Sequence, residues 1–226
     1  MSSKIDLYAS AHKGQRYQLS QINTQAGTLN MYNSKAIENL MLGFEELRKE
    51  FFLHATLEEN YIHPLLYERK PEGAKDLEKD HRKQRKQLDD LREHLITLQQ
   101  KPKNFEKRKE LALEFYRGLN RFTADYLVHI DKEEEIIQPF LWNLCTDEEL
   151  AKAYGTLISS MELGELMMFL KIMFPAMNIY ERAKMIESSK QIGPEAYNKI
   201  LQLAEQVLES DEWQELNSRM KKEKLY

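Results

Sequence analysis

Apolar residues recur along the first 143 positions with the three- and four-residue spacing of amphipathic helices. This pattern predicts four long helices, over residues 5–27, 35–69, 75–99 and 105–143. A polar stretch at 28–34 separates the first two, and the breaker sequences Lys-Pro-Glu-Gly at 70–73 and Lys-Pro-Lys-Asn at 101–104 separate the others. Long helices joined by short connections favour an all-α fold, an up-down-up-down four-helix bundle.

The chain beyond residue 145 shows a different pattern of shorter helices punctuated by Gly, Pro and Asn. Asp147 and its acidic neighbours indicate one helix start, and a methionine-rich helix runs to about Pro175. Later starts are expected at three positions: Asn178, Pro194 and Asp211. We therefore divide the sequence into a bundle over 1–145 and a helical extension over 146–226, which would pack on the bundle or at a homodimer contact.

Composition excludes several classes of protein. Of the 226 residues, 37 are Asp or Glu and 33 are Lys or Arg, so the formal net charge of -4 offers no basic field to nucleic acid. The single cysteine excludes an intrachain disulfide and a cysteine-rich metal site. No apolar stretch approaches about 18 residues, and the first ten residues lack the apolar centre of a signal peptide. We therefore expect a cytoplasmic protein with neither a membrane nor a nucleic-acid partner.

Two segments of the chain repeat each other position by position. Residues 54–66 read HATLEENYIHPLL and residues 129–141 read HIDKEEEIIQPFL, so that His, two Glu, Ile, Pro and the last Leu coincide. A shorter match joins residues 12–16, HKGQR, to residues 81–85, HRKQR. A histidine followed by a His-x3-Glu block therefore occurs twice. This predicts a duplicated helix pair related by a pseudo-twofold axis.

Positions i and i+4 of a helix lie about 40° apart around its axis, so the histidine and glutamate of each block share one face. One further histidine on each remaining helix completes a set of four imidazoles and two carboxylates. The candidate metal ligands are His12, His54, Glu58, His81, His129 and Glu133. A tetrahedral zinc site needs only four ligands, whereas this set suits two metal ions in a bundle core. Imidazole-rich donors favour iron over magnesium or calcium, with manganese and zinc left open.

On these residues, 5–143 resemble a hemerythrin-like, or HHE cation-binding, domain. The motif that carries the resemblance is H…HxxxE…H…HxxxE, with HxxxEExxxxPxL blocks at 54–66 and 129–141. The resemblance implies a four-helix bundle around a non-haem di-iron centre. The four histidines would be terminal ligands, the two glutamates would bridge the ions, and an oxo or hydroxo bridge would complete the centre.

The sequence departs from the oxygen-carrying members of that family. Those proteins have a fifth histidine four residues after the third ligand, where this chain has Arg85, and a bridging aspartate where it has Glu133. The set of four histidines and two glutamates instead looks like the di-iron repair proteins that respond to nitric oxide and oxidative stress.

Two arginines follow ligand histidines by one helical turn. Arg16 and Arg85 either extend to the surface as ordinary charged residues or pair with carboxylates that orient the ligands, for which Glu59 and Glu134 are candidates. The sequence supports both interpretations equally.

Two tyrosines share faces with the ligands, and two histidines do not. Tyr8 and Tyr61 either line a small-molecule pocket or pack in the core. His63 lies nine residues after His54, about 180° around a continuous helix, which predicts a surface or outer packing position. His94 is expected to be solvated.

Three functional hypotheses follow. Such a centre would bind or sense O2, nitric oxide or iron at an open coordination position, and this is our first choice. Alternatively, it would act as an oxidoreductase or iron-centre repair protein on nitric oxide or peroxide. That activity would need an electron-transfer partner, because the sequence encodes no flavin, haem or iron–sulfur relay. A fully coordinated centre would instead mark a metal-stabilised interaction module. No catalytic residue is assigned.

Overall fold

The protein is described from a computed structural model, which defines residues 4–100 and 104–223; the predicted break at 101–103 lies outside these ranges. The regular elements in the described ranges are all helical. They are α1 (Ala9–Gly27), α2 (Ser34–Tyr61), α3 (His63–Tyr67), α4 (Pro71–Gln99), α5 (Phe105–Lys132), a π-helical turn (Glu133–Ile137), α6 (Gln138–Leu144), α7 (Asp147–Ser160), α8 (Leu163–Ala176), α9 (Ile179–Ser189), α10 (Pro194–Val207) and α11 (Ser210–Glu223).

Helices α1, α2, α4 and α5 contribute to one apolar core. The rings of Phe44 and Phe115 pack edge to face with 5.5 Å between centroids, and Phe51 packs on Tyr126 at 4.4 Å. Helices α1 and α4 add aliphatic side chains to the same cluster: Leu19, Ile22, Leu88, Leu91, Leu95 and Leu98. The shared core confirms the prediction of an all-α helical bundle.

Asparagines cap the starts of two bundle helices. The side-chain oxygen of Asn104 accepts hydrogen bonds from the backbone N–H groups of Glu106 and Lys107, which makes it the N-cap of α5. Asn33 caps α2 in the same way. Each cap satisfies N–H groups that a helix leaves without an internal partner, so the sequence fixes where these helices begin.

Both repeated blocks interrupt a long helix at the same place. Helix α2 ends at Tyr61 and α3 follows with Pro64 in its first turn, while the π-helical turn precedes Pro139 at the start of α6. Proline lacks an N–H donor and its ring clashes with the carbonyl four residues back. In the second block the helix widens, and Gln138 N–H donates to the carbonyl of Glu133, five residues back. The second helix was predicted to be continuous over 35–69, and its break at Ile62 shows that this prediction is wrong. The fourth predicted helix is helical over its whole range, with the π-helical turn inside it.

Residue contacts divide the chain into two compact units. The first comprises residues up to Tyr8 together with Gln18–Leu157, and the second comprises Ala9–Tyr17 together with residues from Ile158 onward. Within the first unit, Tyr154 and Leu157 of α7 pack on the cluster that contains Leu66 and Leu141. The predicted division at residue 145 stays a prediction.

Within the second unit, a buried arginine of α9 forms hydrogen bonds with two other helices, α8 and α11. Arg182 donates to the carbonyl of Phe174 at 2.8 Å and to the Glu212 carboxylate at 3.0 Å. Asn178 forms a capping box with Glu181 at the start of α9, as the sequence indicated. In the described part of the chain, no helix combines the length and the apolar character that crossing a membrane requires.

Candidate metal centre

Four of the candidate ligands meet in the first unit. Glu58, His81, His129 and Glu133 are buried, and each offers a ligand atom within 4.8 Å of those of the other three. His129 Nε2 lies 3.2 Å from Glu133 Oε1. His81 Nε2 lies 3.3 Å from Glu58 Oε2 and 3.8 Å from Glu133 Oε1. Such separations suit atoms that share a metal ion, since two bonds of about 2.1 Å place neighbouring ligand atoms about 3 Å apart.

A second group of ligand atoms shares both glutamates. His54 Nε2 lies 3.0 Å from Glu58 Oε1. His54, Glu58 and Glu133 are buried and also offer ligand atoms within 4.8 Å of one another. His12 is buried too, and its role as a ligand stays a prediction. Glu58 and Glu133 therefore each belong to two sets of ligand atoms, which is the placement that a carboxylate needs to bridge two ions.

The local sequence explains why these ligands stand where they do. Glu58 lies in the last turn of α2, and Glu133 opens the π-helical turn after α5. In both blocks a proline, Pro64 or Pro139, follows the glutamate by six residues and ends the regular α-helix beyond it. His54 lies on the same helix as Glu58, and His129 lies on α5 one turn before Glu133, so each His–Glu pair faces the same side.

His81 is held by a carboxylate outside the ligand groups. Its Nδ1 atom lies 3.0 Å from Oε1 of Glu59, and both Glu59 oxygens accept hydrogen bonds from Arg85, at 2.8 and 3.0 Å. Burial raises the pKa of Glu59, but the hydrogen bonds from His81 and Arg85 outweigh it and lower the pKa to about 2. An ionised Glu59 can only accept, so Nδ1 of His81 donates and its Nε2 is left to face the ligand group.

His129 has a corresponding carboxylate that sequence reasoning missed. Its Nδ1 atom lies 3.6 Å from Oδ2 of Asp80, which also lies 3.8 Å from Nζ of Lys132. Asp80 immediately precedes His81 on α4, so the two helices α4 and α5 must pack before this pair can be recognised. No helical spacing in the sequence relates residues 80 and 129.

His63 does not occupy the outward position that the sequence predicted. It is fully buried, and its ring stacks on the ring of His81 with 5.5 Å between centroids and 14° between planes. The prediction assumed a continuous helix from His54, whereas α2 ends at Tyr61. Because the helix breaks between them, the angle between His54 and His63 around the helix axis no longer follows from their spacing. Pro64 was the signal in the sequence that could have shown this break.

The buried glutamates are electrostatically matched to positive charge. Burial lowers the pKa of His81, but hydrogen bonds with three carboxylates raise it to about 11; these are Glu133, Glu58 and Glu59. Burial and neighbouring Glu58 raise the pKa of Glu133, yet His129 and His81 keep it below its ordinary value. Buried carboxylates that retain their charge require cationic partners, which is the condition for holding metal ions.

The other sequence candidates are distributed as follows. Tyr8 is buried, and burial followed by the charges of Glu133 and Glu58 raises the pKa of its hydroxyl well above the ordinary value. Tyr61, Arg16 and Glu134 are half-buried, and the pairing of Arg16 with Glu134 stays a prediction. His94 is exposed, as expected.

Comparison with protein families gives one match that spans most of the bundle. The family model for the hemerythrin HHE cation binding domain matches residues 3–141. The match includes all six candidate ligands and both repeated blocks.

The chain is also similar to longer proteins. F-box/LRR-repeat protein 5 of Xenopus laevis is 25% identical over 150 residues, and that of Mus musculus is 26% identical over 150 residues. Each alignment covers 65% of this chain but only 21% and 20% of the relative, respectively. The chain therefore spans about a fifth of the length of these relatives.

Proposed function

This chain belongs to the hemerythrin HHE cation-binding domain family, and we propose that it is a non-haem di-iron protein that binds or senses O2, nitric oxide or iron. One observation carries the proposal. Glu58 and Glu133 belong to two buried groups of ligand atoms, one with His81 and His129 and one with His54. Two bridging carboxylates with two imidazoles on either side form a donor set for a pair of metal ions.

The donor chemistry fits iron. Imidazole nitrogen and carboxylate oxygen are the donors that di-iron sites in helical bundles use. The proposed ligands are His12, His54, His81 and His129 as terminal donors, with Glu58 and Glu133 as bridges. Four imidazoles and two shared carboxylates leave at least one coordination position open. When bound, iron would supply that position to a small diatomic or peroxide ligand.

The surrounding residues keep the ligands in place. Glu59, itself held by Arg85, orients the His81 ring through Nδ1, and Asp80 lies beside Nδ1 of His129. A carboxylate that accepts a hydrogen bond from Nδ1, as Glu59 does, fixes the tautomer and the orientation of a ligating imidazole and increases its basicity. Burial of the cluster keeps bulk water away from it, which strengthens every charge interaction within it.

Elemental analysis of the purified protein, with an absorption spectrum of the same sample, tests the proposal. We expect about two iron atoms per chain and near-ultraviolet bands of a bridged iron pair. O2 or nitric oxide should then change the spectrum of the ferrous form. Absence of iron after anaerobic loading with Fe(II), while manganese or zinc binds, would contradict the iron assignment.

Two further outcomes would select the other hypotheses. A bound metal whose spectrum is unaffected by O2, nitric oxide and peroxide, and whose removal lowers the melting temperature, would indicate a metal-stabilised interaction module. Turnover of nitric oxide or peroxide with an added reductant would indicate an oxidoreductase. The cytoplasmic location, an electron-transfer partner and a homodimer remain predictions.

A further inference from the structure

His63 is a buried imidazole that no fold or ligand role accounts for. Among the described residues, neither of its ring nitrogens has a hydrogen-bond partner. Glu78 Oε1 lies 3.7 Å from its Nδ1, beyond hydrogen-bonding distance. A buried polar group without a partner costs free energy, so its retention calls for a role that the protein alone does not show.

His63 differs in its hydrogen bonding from the residue at the same position of the second repeated block. Its counterpart in the second block is Gln138, which is also buried. Both polar atoms of the Gln138 amide form hydrogen bonds within the protein. Oε1 accepts from the backbone N–H of Leu7 at 2.7 Å, and Nε2 donates to the carbonyl of Ile5 at 3.4 Å. The two blocks therefore match in their ligands and differ at this one buried polar position beside them.

The surroundings of His63 resemble those of the ligand histidines. Nδ1 faces the carboxylate of Glu78, as Nδ1 of His81 faces Glu59. Glu78 is itself fixed by a hydrogen bond from the hydroxyl of Tyr67. With Nδ1 directed at Glu78, Nε2 is the nitrogen left for another partner, since the two nitrogens lie on different sides of the ring.

His63 nevertheless stands outside both groups of ligand atoms. Its ring is nearly parallel to that of His81 and displaced from it by 5.5 Å between centroids. The charges of Glu58 and Glu133 act on the His63 ring, so it lies close to the ligand group without belonging to it.

We propose that His63 binds the small exogenous ligand of the centre, through a hydrogen bond from its ring nitrogen to a small anion or diatomic molecule held on the His81 side. This inference rests on the proposed function. It makes the two halves of the duplicated site unequal, because Gln138, the counterpart of His63, is hydrogen-bonded to the backbone of Leu7 and Ile5. The ligand would therefore bind on one side only.

Azide binding to the iron-loaded full-length protein tests this role, with His63→Phe as the main variant. Phenylalanine keeps a flat ring against His81 but has no polar atom. His94→Phe, at an exposed histidine of α4, is the matched control. We expect unchanged iron content in both variants. The azide dissociation constant should rise about tenfold or more in His63→Phe alone, the effect of losing one hydrogen bond to a charged ligand.

Infrared spectroscopy gives a second readout that packing would not change. The stretching frequency of bound azide should shift between H2O and D2O in the wild-type protein and not in His63→Phe. If His63→Phe does not fold, as judged by circular dichroism, His63→Leu replaces it, because leucine is apolar and has no hydrogen-bond donor. We expect the same loss of azide affinity in that variant.

Three results would overturn the inference. Unchanged azide affinity with full iron content would show that His63 does not contact the ligand. Loss of iron in His63→Phe equal to the loss in His81→Ala would make His63 a metal ligand or its support. Failure of the wild-type protein to bind iron would remove the proposed function and the inference together, and the wild-type sample alone distinguishes that case.

Discussion

Glu59 accepts a hydrogen bond from Nδ1 of His81 over 3.0 Å, and the guanidinium of Arg85 donates hydrogen bonds to both oxygens of the same carboxylate. The three residues form a line from the half-exposed surface of the bundle to the buried ligand group. The line fixes the His81 tautomer with Nε2 toward Glu58 and Glu133, which is the orientation that a metal ligand needs.

Removing this support should weaken metal binding without unfolding the protein. We expect Glu59→Gln to lower the affinity for Fe(II) by about 10- to 100-fold, because His81 loses its charged acceptor. Competition with a chromophoric chelator measures the affinity. Glu93→Gln, which changes an exposed glutamate of α4, serves as the control and should leave it unaltered. Equal affinities for both variants would show that Glu59 does not support the centre.

Loss of a proposed ligand should reduce the metal content itself. We expect His129→Ala or His54→Ala to bind less iron per chain than the wild type, because each removes an imidazole that lies against a buried glutamate. Elemental analysis after anaerobic loading and desalting measures it. His94→Ala and His63→Ala should retain the wild-type content, and the reverse pattern would contradict the ligand set.

The aromatic core sets the stability of the bundle. Truncation of Phe115 should lower the free energy of unfolding by about 3–5 kcal/mol, because the fully buried ring is lost from its edge-to-face contact with Phe44 and leaves a cavity. Denaturant titration of Phe115→Ala measures the loss. Leu113→Ala, two residues away and 42% exposed, should change it by no more than about 0.5 kcal/mol. Similar losses in both variants would argue against this core.

Glu149 should contribute to the free energy of unfolding near neutral pH, and this contribution should be lost in acid. The backbone N–H of Thr146 and the guanidinium of Arg69 donate to it at 2.8 and 2.6 Å, and they hold its pKa below the ordinary value of 4.5. A lowered pKa in the folded state stabilises the protein above pH 4.5, and this contribution disappears as the pH falls below it. Wild-type protein should therefore lose unfolding free energy more steeply than Glu149→Gln between about pH 5 and pH 3. Parallel curves would exclude the contribution.

Local sequence signals predicted the features that depend on neighbouring residues. Helical spacing identified the bundle helices, and Asn104 marked the start of α5 by chemistry that operates within one turn. The repeated blocks identified the His–Glu pairs, because residues i and i+4 share a face wherever the helix is regular. The same argument failed for His63, because the break after Tyr61 lies between it and His54.

The sequence by itself therefore determined the all-α fold, the duplication and the candidate ligands, since helix periodicity and residue spacing are properties of adjacent positions. Only the tertiary structure decided that both ligand groups share Glu58 and Glu133, that Asp80 lies beside His129, and that His63 stacks on His81. These relationships join residues on different helices. They exist because α2, α3, α4 and α5 pack against one another, and no short-range pattern specifies which side chains then meet.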